Sequence, residues 1–227
     1  MPVVSLVAVA VNKLILLHMF EKIEILLRQL VNSFDQIPKE RKVLLQKLSA
    51  YIKEKMLANE DINLVYICTH NSRRSHFGQV AATIAASYFK IKNVHCFSGG
   101  TQVTAFNTNA INALKELGFE INTKESDPKN PLYQVAYSNT QFEKCFSKLY
   151  DDESNPKDNF VAIMTCSEAE KNCPFITGAK IRIGTTYKDP KEADNTEEVI
   201  NTYVERFKQI TTETLYAFSL ITQQLKP

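Results

Sequence analysis

The 227-residue sequence predicts an α/β fold: a four-stranded parallel sheet with helices on both faces, three layers deep, preceded by an N-terminal helical hairpin. Three observations lead there. Four short apolar runs rich in β-formers, at 63–67, 94–98, 160–164 and 180–184, have the length of buried strands. Stretches with apolar residues at i, i+3 and i+4, at 76–89, 107–117 and about 195–224, alternate with them and read as helices. Two more helical patterns stand ahead of the first strand.

In chain order, residues 3–17 are mostly apolar, but Asn12 and Lys13 interrupt them and the stretch is too short to span a bilayer comfortably. No basic segment precedes it and no small-residue cleavage site follows, which argues against a secretory signal. Met19 is a candidate translation start, with the first 18 residues an upstream tail expected to pack poorly. From 20 to 34, Ile23, Leu26, Leu27, Leu30 and Val31 keep helical spacing; after a break ending in Pro38, Val43, Leu44, Leu48 and Ile52 repeat it over 39–56. Residues 1–60 are thus expected to be a tail and hairpin appendage, either packing or docking, and 61–227 the main α/β domain. Gly99-Gly100-Thr101 ends the second strand in a tight turn. His95 and Cys96 alternate within that strand and read as structural rather than metal-binding. Gly118 closes the helix at 107–117 as a C-cap. The segment 127–159, with Pro128, Pro131 and Pro156, is expected to be irregular, with a helical turn near 141–146 and Cys145 a bystander.

Composition narrows the class. A net charge of +2, with 44% hydrophobic and 23% charged residues, is ordinary for a globular protein and argues against a nucleic-acid surface. Five cysteines, an odd number without regular spacing, fit a reducing cytoplasmic setting better than a disulfide framework.

The chemistry concentrates in Cys68-Thr69-His70-Asn71-Ser72-Arg73-Arg74-Ser75, the turn between the first sheet strand and its helix. A loop of that length can curl until its N–H groups point inward and form a nest for an oxyanion. The helix N-terminus adds donors and positive dipole, and the Arg74 guanidinium can grip two anion oxygens. The field that receives an anion also favours the thiolate of Cys68, the nucleophilic form. Ser75 can donate to that sulfur, and Thr69, His70, Asn71, Ser72 and Arg73 would line the bound substrate. Ligands of such sheets sit beyond the carboxyl ends of the strands, where this loop lies.

Two further signals accompany the loop. Asp189-Pro190, after the fourth strand, is an ordinary turn signal, or a carboxylate able to reach across the nest as general acid. Cys166 and Cys173, after the third strand, lack a second Cys or His pair for zinc. They read either as buried structural thiols or, for Cys166, as a thiol on the same rim as Cys68. If one helix joins the two, their separation of about 10 Å exceeds the ~4.4–6.8 Å Cα spacing of a disulfide, so a bridge between them requires local unwinding.

The core Cys68, Asn71, Arg74 and Ser75 resembles the low-molecular-weight protein tyrosine phosphatases and the arsenate reductases that share their phosphatase I-like fold. The resemblance covers roughly residues 61–225. It implies that Asn71 holds the loop in shape through side-chain bonds to backbone and that Asp189 belongs to the family's acid loop. The spacing of Cys166 and Cys173, with Pro174 following, is similar to the paired cysteines of the thioredoxin-coupled arsenate reductases. That branch implies attack of Cys68 on arsenate, a Cys68–Cys166 disulfide, and transfer of that disulfide through Cys173 to a thioredoxin-like reductant. No cofactor, metal, nucleic acid or membrane is implied. Two departures from the phosphatases matter. Arg73 stands where many of them carry a second loop cysteine, and Lys191, Glu192, Ala193 and Asp194 follow the acid loop where they place aromatic residues. A phosphoester hydrolase using Cys68, Arg74 and Asp189 alone is the alternative, and an idle anion-binding or redox-sensing module is a third reading.

Overall fold

The computed structural model describes residues 19–124, 127–173 and 175–223; the expectation for the first 18 residues lies outside them. Helix α1 (Glu21–Val31) opens with Glu21 and Glu24 and carries Arg28 in its last turn, charges that suit the helix dipole at each end. After Pro38 at the N-cap comes α2 (Lys39–Leu57). Strand β1 (Ile62–Cys68) leads through the cysteine loop into α3 (Arg74–Phe89), followed by β2 (Val94–Gly100) and α4 (Thr108–Glu116). Three short strands follow, β3 (Glu120–Lys124), β4 (Leu132–Ala136) and β5 (Phe142–Cys145). Then come β6 (Phe160–Met164), α5 (Ser167–Asn172), β7 (Ala179–Gly184), a 3-10 helix (Pro190–Ala193) and α6 (Val199–Gln223).

The main sheet has four strands, all parallel, as the sequence predicts, in the order β2-β1-β6-β7. Because strand side chains alternate, its faces separate cleanly. Ile62, Leu64, Tyr66, Val161 and Ile163 join the large core built with α1, α2, α3, α4 and α6. Val65, Ile67, Phe160, Ala162 and Met164 face the other way, into a smaller cluster with Cys68, Cys166, Ala169 of α5 and Ile176. Parallel pairing puts the carboxyl ends of β1, β2, β6 and β7 on one rim, and the candidate residues leave from it. Close approach is demanded at Gly100, where an added Cβ would stand 2.7 Å from the Asn71 nitrogen and 2.8 Å from the Thr69 carbonyl.

The hairpin shares the main core. Leu45, Leu48, Tyr51 and Ile52 are buried in the same cluster as Leu64 and Phe218, each such side chain contributing roughly 1.5–3 kcal/mol of transfer free energy.

Two expectations are corrected. The segment near 141–146 is not a helical turn; it includes β5, which pairs antiparallel with β4 in a second sheet ordered β3-β4-β5. The pattern is hidden because one of its inward residues is charged: part-buried Glu143 accepts from Gln79 Nε2 at 3.0 Å, and only Cys145 beside it is apolar. The last helix begins at Val199 rather than Asn195, which takes a left-handed φ of 65° after the 3-10 turn, a conformation asparagine tolerates.

Candidate active site

Cys68 is the last residue of β1, 4% exposed, at the floor of the loop. The strand end is anchored by Thr165, whose N–H and hydroxyl both donate to the Ile67 carbonyl at 2.7 and 2.9 Å. Beyond Cys68 the loop carbonyls are taken from outside. Thr69 O accepts from the N–H groups of Thr101 and Gln102 (2.9 and 2.8 Å), and Ser72 O from Asn107 N (2.9 Å). His70 O accepts from the hydroxyls of Thr104 and Ser147, both at 3.0 Å. In a planar trans peptide the carbonyl and the next N–H point opposite ways, so the N–H groups of His70, Asn71 and Arg73 turn inward. Among the described residues no side chain caps α3, whose first-turn donors and dipole add to the same concavity.

Asn71 holds this shape. Its φ is 43°, its Oδ1 accepts from Lys148 N at 2.8 Å, and its Nδ2 donates to Ser75 Oγ at 2.9 Å. With its oxygen engaged as acceptor, the Ser75 hydroxyl has its proton available for Cys68 Sγ, 3.1 Å away. Ser72 donates to Ala105 O at 2.7 Å and serves the loop wall.

The Asp189 loop packs against the two loop arginines. Arg74 Nη1 donates to Tyr187 O at 2.8 Å and its Nη2 reaches Asp189 Oδ2 at 2.5 Å. Arg73 Nε pairs with Asp189 Oδ1 at 2.9 Å, so two guanidinium groups hold one carboxylate. Asp189 also caps the 3-10 helix by accepting from Lys191 N at 3.1 Å. Arg74 Nε is buried and, among the described residues, has no acceptor. That unspent N–H, beside inward backbone donors, suits an oxyanion oxygen.

Cys166 is 1% exposed and is the N-cap of α5, its sulfur accepting from Ala169 N at 3.4 Å. The Thr69 hydroxyl, one residue past Cys68, lies 3.4 Å from Cys166 Sγ and donates to Glu168 Oε2 at 3.1 Å. Cys166 therefore stands at the wall of the loop. Cys173 is the C-cap of α5, half-buried, its N–H donating to Ala169 O at 3.0 Å. The helix between the two cysteines is unbroken but only six residues long. The structure thus pairs Arg74 with Asp189, sets Cys166 against Thr69, the residue after Cys68, and leaves Cys173 at the far end of α5.

Several supports escape sequence reasoning. Lys148 is buried beside the loop, with its ammonium 4.4 Å from the Phe146 ring, and burial pulls its pKa down. His76, fully buried against Phe106 and bonded to Ser98 Oγ at 3.1 Å, is pushed to about 3 by burial and stays neutral. Glu168, Ser147 and Thr104 belong to this list too. None has a local motif, because each acts through a contact distant in sequence. The other cysteines lie apart: Cys96 and Cys145 are buried in the main core, where burial raises both thiols.

No family model matches the chain. An arsenate reductase of Staphylococcus epidermidis is 25% identical over 153 residues, 64% of this chain and 95% of that protein. An arsenate reductase of Halalkalibacterium halodurans is 27% identical over 135 residues, 60% of this chain and 78% of that protein. Among solved structures, a low-molecular-weight phosphotyrosine phosphatase from Vibrio cholerae superposes with a TM-score of 0.48 at 12% identity, covering 73% of this chain and 99% of its own. A thioredoxin-dependent arsenate reductase of Corynebacterium glutamicum does so with 0.39 at 15%, covering 89% and 97%.

Proposed function

We propose that this chain is an enzyme of the low-molecular-weight protein tyrosine phosphatase-like superfamily, on its arsenate reductase branch, that it reduces arsenate with internal thiols, and that a thioredoxin-like reductant regenerates it in the cytoplasm. The observation that carries this reading is Cys166, whose sulfur shares the Thr69 hydroxyl at the edge of the Cys68 loop.

Arsenate enters the nest and accepts from the inward N–H groups and from Arg74, competing with Asp189 for that guanidinium. The Cys68 thiolate attacks arsenic; an arsenate hydroxyl takes a proton from Asp189, whose carboxyl carries it once arsenate has displaced it from the arginines, and leaves as water. Cys166, deprotonated, attacks the Cys68 sulfur of the adduct. The sulfur–arsenic bond breaks, its electron pair stays on arsenic, and arsenite departs as a Cys68–Cys166 disulfide forms. Cys173 then attacks Cys166, releasing Cys68 as thiolate and leaving a Cys166–Cys173 disulfide for an external dithiol to reduce. That last bridge requires α5 to unwind, an undemanding change for a helix this short.

Phosphoester hydrolysis by Cys68, Arg74 and Asp189 is the second reading, favoured by the unbroken helix between Cys166 and Cys173. The two are separated by following arsenate-dependent oxidation of thioredoxin beside hydrolysis of p-nitrophenyl phosphate. Stoichiometric thioredoxin oxidation and arsenite production are expected; hydrolysis with no arsenate-dependent oxidation would establish the phosphatase.

A further inference from the structure

We infer that the N-terminal hairpin is part of the catalytic apparatus, with Arg41 of α2 as a positioning residue that holds the acid loop from behind. Arg41 Nη2 donates to the Thr186 carbonyl at 2.8 Å. Its Nε faces Glu213 Oε1 of α6 at 3.5 Å, and its guanidinium lies 5.2 Å from the Tyr187 ring centroid. The Tyr187 hydroxyl donates to the other Glu213 oxygen at 2.7 Å. One buried carboxylate thus orients both a guanidinium and a phenol, and both act on residues 186 and 187.

The consequence follows from the next bond along. The Tyr187 carbonyl is the acceptor for Arg74 Nη1, and Arg74 Nη2 holds Asp189. The segment leading to Asp189 is therefore gripped by Arg41 on the hairpin side and by Arg74 on the substrate side. Tyr187 N is fixed as well, donating to Thr165 O at 3.1 Å. With the rear grip removed, the Thr186 carbonyl loses its guanidinium donor and the Tyr187 ring its cation. Asp189 is then free to shift, and a displacement of about 1 Å at such a group costs up to ~100-fold in rate. Lysine can neutralise Glu213 but cannot fork to Glu213 and Thr186 with the same planar geometry.

The inference rests on the proposed role of Asp189, and its test keeps the two apart. Wild type, Arg41→Ala, Arg41→Lys, Asp189→Asn and the Arg41→Ala/Asp189→Asn double variant are compared for arsenite formation with thioredoxin. Arg41→Ala should lower kcat about ten- to hundredfold with KM changed less than about twofold, and Arg41→Lys should recover part of that loss. In the Asp189→Asn background Arg41→Ala should add little, the non-additivity of groups acting through one another. Equal factors in both backgrounds would overturn the inference. Inactivity of the wild type toward arsenate would instead overturn the reductase reading, and the cycle is then read on p-nitrophenyl phosphate. Independently of turnover, amide exchange at 185–191 should quicken in both Arg41 variants while 94–100 stays protected. Unchanged exchange at 185–191 in a folded Arg41→Lys protein would also overturn it.

Discussion

Two cysteine-bearing segments leave the same rim of the sheet, and they are held in opposite ways. The loop from Cys68 to Ser75 is tied by its carbonyls to residues 101, 102, 104, 107 and 147, and through Asn71 to Ser75 and Lys148. The segment from Cys166 to Cys173 holds a six-residue helix, capped at its start by the Cys166 sulfur and ended by the half-buried Cys173, whose backbone N–H donates to Ala169 O. The first is held in one shape, which suits an anion site, since donors fixed before binding cost no reorganisation when charge develops. The other is a single short helix with few residues to unwind. On the proposed reading, the first segment performs the chemistry on arsenic and the second carries electrons away from it.

The comparison can be broken first at the rigid segment. Cys68→Ser should abolish arsenate reduction and any phosphoester hydrolysis while leaving the fold intact, checked by initial rates and circular dichroism. Retained turnover would mean that the loop only binds. Asn71→Ala sharpens the comparison with a smaller effect. It removes two side-chain hydrogen bonds of about 1 kcal/mol each and places alanine at a positive φ. Turnover should fall about ten- to hundredfold, visible in kcat for arsenite formation. Loss of less than about threefold would show that the carbonyl anchors alone set the loop.

Legibility in the sequence followed the same division. The four parallel strands, the hairpin and the Cys68–Ser75 loop were readable because each rests on local pattern: apolar runs, helical spacing, a cysteine and an arginine across one turn. Asp189 and Cys166 were readable as candidates because both follow strands, so topology alone brings them to the rim. What could not be read depends on partners distant in the chain. Arg73 looks like a lost cysteine position until its guanidinium is found on Asp189 at 2.9 Å. Arg41 stands 145 residues from Thr186, and Lys148 reaches Asn71 through a backbone N–H that carries no side-chain signature. Strand β5 was missed because its inward Glu143 is stabilised by Gln79, a contact no periodicity announces.

The Cys166–Cys173 segment supplies the most direct test of the account, because its two thiols should fail differently. With arsenate and thioredoxin as sole reductant, Cys166→Ser should release no arsenite, since nothing internal resolves the Cys68–arsenic adduct. Cys173→Ser should release one arsenite per molecule and then stall, with a Cys68–Cys166 disulfide visible by mass mapping. Repeated turnover by both variants would contradict the thiol cascade and leave the chain a phosphatase-type enzyme with two bystander cysteines.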